Sequence, residues 1–252
     1  MIQRMLASAM FAGCAAGLLA ALLHFAFVQK LILLGEQYET GALVHFENAG
    51  AEKPAGHSHE ATATITDPAT ATTEPATEDH AHDAAPAPDL SRNALTVLFT
   101  CLTYVSYGML LVAGYALAAH FGIHITSREG ALWGIAGFVS FQLAPAMGLA
   151  PELPGTIAAE LSVRQIWWLG TVLATGTGIA LLAYGRGFLP AMAAGVLLAA
   201  PHVIGAPQPD QFWGTAPPEV GAAFAANVLG VGLMAWTVLG WLAGQFWASD
   251  QA

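Results

Sequence analysis

The sequence predicts an all-α, polytopic membrane helix bundle with a long outer loop. Three observations point there. Hydrophobic residues make up 56% of the 252 residues and charged residues only 10%, whereas a soluble domain carries about 25% charged residues. Mean hydropathy is +0.57. Finally, Lys, Arg, Asp and Glu are missing from six long stretches: 5–29, 93–127, 130–151, 165–185, 187–209 and 220–249. A charge at the centre of a span costs about 2.5–3.5 kcal/mol on insertion scales. About 20 apolar residues cross the hydrocarbon layer, so a bilayer selects for gaps of this kind.

Taken in order, the gaps place about six spans near 6–28, 94–118, 131–149, 166–184, 188–205 and 222–246. In the first, Phe11-Ala-Gly-Cys14 resembles a lipoprotein cleavage box. The apolar run continues to Val28, however, longer than a cleavable signal peptide needs, so an uncleaved first helix is expected. Pro190 and Pro201 leave the fifth span short, and a count of five is also compatible. Cys14 and Cys101 both fall inside spans and read as small packing residues rather than a disulfide. The chain thus divides into a first transmembrane helix (1–35), an outer loop (36–92) and a membrane body (93–252).

The loop carries the charge. From Glu36 to Asp89 there are 11 acids and one base, Lys53, which accounts for the whole net charge of −10. The remaining six acids and six bases cancel. Nothing here offers the basic surface that nucleic acid requires. The loop is rich in Thr, Ala and Pro and reads as largely disordered, exported sequence. Positive residues do not orient the chain: Arg4, Arg128 and Arg186 fall on one side, Lys30, Arg92 and Arg164 on the other. The loop's character decides it. We expect an inside N-terminus, and the loop outside together with the segments 150–165 and 206–220.

Four segments carry candidate chemistry. The loop holds two His-x-His pairs, His57/His59 and His80/His82, each beside acids. Imidazole suits Zn, Cu, Ni and Co, and such tracts are a known composition for metal binding. In the stretch 141–155, Pro145 interrupts the third span, and Pro151, Pro154 and Gly155 hold Glu152 at the surface. Broken backbone within a bilayer is tolerated where it lines a cavity, which makes Gln142, Glu152 and freed carbonyls candidates to face a cation. The stretch 200–210 echoes this pattern: an apolar span, Pro201, then Gly, Pro and an acid. Paired broken helices are a pointer to transporter sites, and an ionisable residue near a span end, His202, is a functional candidate. Lastly, Glu160 and Arg164 stand one helical turn apart, and Trp167 and Trp168 read as an interfacial anchor. His24 near the outer end of the first span, with Glu36 and Glu39 beyond it, would line the approach to such a path. His120 and His124 border the second span on the inner side.

Enzyme motifs are lacking. The sequence contains no G-x-x-x-x-G-K-[ST], no G-x-S-x-G and no H-E-x-x-H. The expectation is a protein that is not an enzyme and holds no permanent cofactor.

The sequence resembles the CbtA family, proposed cobalt transporter subunits of the bacterial inner membrane. The resemblance covers nearly the whole chain. It rests on the opening helix followed by Glu36-Gln-Tyr-Glu39, and on the acidic His-bearing loop. It rests also on Leu132-Trp-Gly-Ile-Ala-Gly-Phe138 running into Leu143-Ala-Pro-Ala-Met-Gly-Leu149 and Pro151-Glu-Leu-Pro-Gly155. Arg164-Gln-Ile-Trp-Trp-Leu-Gly170 and Pro201-His-Val-Ile-Gly-Ala-Pro207 complete it. The family is usually described with five spans. The resemblance implies transport of Co²⁺, with Ni²⁺ or another divalent metal as alternative cargo. It further implies a link to cobalamin synthesis and a small His-rich membrane partner, CbtB. The expected function is the membrane subunit of a cobalt importer whose loop collects the ion. A metal-binding scaffold or sensor without transport is the alternative.

Overall fold

The computed structural model describes residues 2–45 and 89–249. Of the expected outer loop 36–92, residues 36–39 and 90–92 are helical; its expected disorder over 46–88, and His57, His59, His80 and His82 with it, lie outside the described residues. The described chain is helical, with no strand. Helix α1 (Ile2–Leu23) passes through a π-helical turn (His24–Val28) into α2 (Gln29–Glu39). Helix α3 (Leu90–His120) returns, and α4 (Ser127–Phe138) then leads through a second π-helical turn (Val139–Leu143) into the short α5 (Ala144–Ala146). Helices α6 (Leu161–Tyr184), α7 (Phe188–Ile204) and α8 (Pro218–Ser249) follow.

Each charge-free stretch has become a helical run. Four runs are long and apolar enough to cross a membrane: Met5–Glu39, Leu90–His120, Leu161–Tyr184 and Pro218–Ser249. Helix α7 has 17 residues. The run α4–π–α5 adds 12, 5 and 3 residues, or 20. At 1.5 Å per residue these two shorter runs measure about 26 and 30 Å, near the thickness of the hydrocarbon layer. The first helix outlasts its expected span by three turns. Val28 packs with Leu153 and Phe224, and Leu31 and Ile32 pack against that cluster, which holds the extension in place.

Glycine sets how closely the helices approach. Gly13 and Gly17 of α1 lie against the backbone of Val105 and Cys101 on α3. A stripe of Ala9, Ala12, Ala16 and Ala20 is buried on α1. On the other side of the bundle, Gly130 and Gly134 of α4 meet the backbone of Trp236, Gly240 and Gly244 on α8. Both are small-x-x-x-small pairings, which let membrane helices touch backbone to backbone. The core lies among α1, α3, α4 and α8, around Trp236, Leu239 and Tyr115. The Tyr115 hydroxyl donates to the Gly240 carbonyl at 3.1 Å and thereby reads the α4–α8 contact from α3. Helix α7 stands aside, packed on α6, where Gly178 receives Leu198.

Two helix starts carry side-chain caps. Asp89 accepts from the backbone N–H groups of Ser91 and Arg92 at the start of α3. Thr126 and Glu129 form a reciprocal capping box at the start of α4. The serpentine order gathers the segments 40–45, 147–160 and 205–217 at one end of the bundle, and 121–126 and 185–187 at the other.

Candidate functional site

The end of α4–α5 at Pro145 meets the end of α7, which runs through Pro201 to Ile204. Pro145 has no N–H to give to the carbonyl four residues back, Phe141. The indole of Trp168 donates to that carbonyl at 3.3 Å. Its neighbour Trp167 donates to the carbonyl of Pro201 at 3.2 Å. Two adjacent tryptophans on α6 therefore hold the ends of α4–α5 and α7. Both indole N–H groups thus bond to helix backbone. The segments beyond the breaks are joined as well. Gln208 donates to the Gly148 carbonyl at 3.2 Å, the Ile157 N–H donates to the Trp213 carbonyl at 3.0 Å, and Thr156 and Gly214 form an isolated bridge. Gly155, at φ 78°, makes the turn that brings this strand-like piece under Thr215 and Glu39.

Two cavities open at this end. The first, about 670 Å³, lies between residues 38–45, 152–157 and 208–221. Its polar lining includes Tyr38, His45, Glu152, Thr156, Gln208 and Thr215. The Thr215 hydroxyl is buried without a hydrogen-bond partner. The second, about 390 Å³, penetrates between the second π turn, α6 and α8. Gln142, Pro145, Glu152, Arg164, Gln165 and Trp168 line it. Glu152 borders both.

Glu152 is paired. Its Oε2 lies 2.8 Å from Arg164 Nη2. The expected one-turn pair of Glu160 with Arg164 does not form. Glu160 precedes α6 with extended backbone (ψ 136°) and accepts instead from the Ser162 hydroxyl at 2.6 Å. Because Glu160 is outside the helix, the spacing that favours one-turn pairs does not apply. Gln142 lies against Gly232 of α8, with its Oε1 buried and unpartnered. His202 is half-buried edge-on to Trp167, at 6.4 Å between ring centres. It lines neither cavity, so the structure brings Gln142 to Glu152 but leaves His202 behind the tryptophan.

The other approach residues sit on the first helix. Glu36 accepts two hydrogen bonds from Arg92, at 2.6 and 3.1 Å. Gln29, about two turns earlier on the same helix, donates to Asn93 at 3.1 Å. Glu39 lies against Gly155. His24 sits half-buried in the first π turn, edge-on to Phe25. His120 and His124 stand at the opposite end, by the loop after α3. Among the described residues, no three His, Cys, Asp or Glu side chains come together as a ready metal site.

Charge still favours cations at the cavity end. Among the described residues it carries Glu36, Glu39, Asp89, Glu152, Glu160, Asp210 and Glu219 against Lys30, Arg92 and Arg164, or 7 − 3 = 4 net negative charges. Such a field concentrates counter-ions at the mouth.

Fold and cavities define a polytopic helical membrane protein with a largely apolar recess, edged by a few polar groups and a net negative charge, at one end of the bundle. The family model for CbtA, described as a probable cobalt transporter subunit, matches residues 2–248. The chain belongs to that family. As a subunit, it works within a transporter complex. No curated protein and no solved structure matches it.

Proposed function

We propose that this chain is the membrane subunit of a Co²⁺ importer of the bacterial inner membrane, with the cavity end facing outward. The outer loop 36–92 collects the ion through His57, His59, His80 and His82. Glu36 and Glu39 guide it past His24 to the cavities, where Glu152 and Gln142 receive it. His202 supports the path by seating Trp167. The partner subunit is a small His-rich membrane protein of the CbtB kind. Ni²⁺ and related divalent ions compete as cargo.

The observation that carries this reading is the joint recess at the two helix ends, with Glu152 bordering both of its cavities. Its ligands are few and mostly neutral, which suits transit, because an ion held tightly cannot leave. The test is uptake of radiolabelled Co²⁺ into proteoliposomes holding both subunits. Accumulation above protein-free liposomes is expected. Binding without accumulation would instead favour a metal-responsive scaffold.

A further inference from the structure

The recess does not end at Gln142. A third, apolar crevice of about 270 Å³ enters the same interface from the opposite end, lined by Glu129, Trp133, Ala136, Gly176 and Tyr184 among others. The Trp133 indole donates to the Tyr184 hydroxyl there at 2.9 Å. Both openings therefore lie on one seam, between α4–π–α5 and α6. The plug between them is short. It spans from Gln142 to Ala136 on one side and from Trp168 to Gly176 on the other, about 9 and 12 Å at 1.5 Å per residue.

The plug holds three buried hydroxyls beside apolar Val172. Ser140 is 5% exposed, Thr171 0% and Thr175 1%. Helical spacing puts Thr171 and Thr175 on the buried side of α6, between Trp168, which meets the π turn, and Gly178, which meets α7. Gly176 faces the Ser140 hydroxyl. Ser140 donates to the Ala136 carbonyl at 2.8 Å and Thr171 to the Trp167 carbonyl at 2.9 Å. Each donates its proton to its own helix, which leaves its oxygen lone pairs free to accept. The Thr175 oxygen has no partner at all, and neither does Gln142 Oε1. Buried hydroxyls often serve only to bond the preceding turn; Thr175 does not do so. An unpartnered buried oxygen costs free energy, and that of Thr175 stands next to Gly176, which faces Ser140, with a carboxylate at either end of the seam, Glu152 and Glu129.

We infer that the seam between α4–α5 and α6 is the ion's route across the membrane. A relay of neutral oxygens (Ser140 Oγ, Thr171 Oγ1 and Thr175 Oγ1) takes a partly hydrated divalent cation at mid-depth. This rests on the transport reading above. Uncharged oxygen ligands replace some hydration waters without holding the ion, which hard and borderline divalent cations accept. The cation supplies the donor-free partner that the orphaned Thr175 oxygen lacks.

The test uses native-membrane vesicles from cells carrying the full chain with its partners. Thr175→Val and Ser140→Ala should each slow initial uptake of radiolabelled Co²⁺ about tenfold, a factor of the size one lost ion–oxygen contact carries. Thr103→Val, on the exposed face of α3, should leave uptake unchanged. A second reading does not depend on transport rate. In a Cys14→Ala, Cys101→Ala background, Ser140→Cys should react with a small water-soluble thiol reagent, and Co²⁺ should slow that reaction. A thiol that resists the reagent, or reacts at a rate Co²⁺ leaves unaltered, overturns the seam. So does wild-type uptake that survives the seam substitutions. Wild-type vesicles that accumulate no more Co²⁺ than vesicles lacking the chain would overturn the transport reading itself.

Discussion

Glu152 and Arg164 neutralise each other at the boundary of the two outer cavities, and the pair sets what a cation meets first. A divalent ion reaching Glu152 displaces a tethered guanidinium, a competitor that is always present. Glu152→Gln removes the carboxylate and should lower the initial Co²⁺ uptake rate about tenfold at sub-saturating metal. Arg164→Gln should raise apparent affinity in the same assay, and an unchanged KM in both variants would remove the pair from the path. Asp89 offers a simpler case. The Ser91 hydroxyl and the Arg92 backbone N–H donate to it and hold its carboxyl below the usual carboxylate range. A depressed acid stabilises the fold above its unfolded value, and the contribution is lost as pH falls through the lowered value. The first turn of α3 should therefore stay closed at neutral pH and fray in acid. Asp89→Ala should show the frayed state at all pH values, read by hydrogen exchange at 91–94 corrected for intrinsic rates.

The helix broken at Pro145 depends on α6 for its repair. Pro145 leaves the Phe141 carbonyl without its helical donor, and Trp168 supplies one from the neighbouring element. Trp168→Phe keeps the ring but strands the carbonyl, at a cost of about 1–3 kcal/mol. Thermal unfolding in detergent should shift down accordingly, whereas Trp213→Phe, on the exposed loop, should not move it. These joints were half legible. The Pro–Gly pattern marks both helix ends, but α7 runs through Pro201 to Ile204 instead of breaking there; the segments beyond the two ends, echoed between 141–155 and 200–210, touch through Gln208 and Gly148. The tryptophans read as an anchor because a single sequence shows a span's edge but not which backbone faces it. Likewise the Glu160–Arg164 spacing promised a pair. Where α6 begins decided against it, and helix starts are set by the incoming chain.

The packing of the whole bundle follows from small residues. Gly130-x-x-x-Gly134 and Gly240-x-x-x-Gly244 stand in the sequence in plain view, as does Gly13-x-x-x-Gly17. Their spacing marks the faces on which α4 meets α8 and α1 meets α3, a signal that charge gaps and hydropathy do not carry. Hydropathy found every helical run but not the reach of α2, since charge marks where the bilayer stops rather than where the helix does. Gly134→Val or Gly240→Val inserts atoms where backbones touch, and overpacking costs about 1–3 kcal/mol or more. Both should reduce the yield of folded monodisperse protein, while Gly170→Ala, with open space around it, should not. The orientation proposed above is tested by a cysteine placed at 60–75. A membrane-impermeant reagent should label it on intact spheroplasts, and labelling only after lysis would invert the bundle.

Helix α2 runs three turns past Gln29 and is clasped to the start of α3 through Glu36–Arg92 and Gln29–Asn93. Both ends of the intervening chain are thereby stapled within one side-chain length of each other, and residues 41–45 form part of the wall of the larger cavity. In the import proposed above, an ion handed over beside the clasp would meet the cavity wall at high local concentration. Cutting the clasp with Glu36→Gln would part α2 from the start of α3 without touching a single histidine.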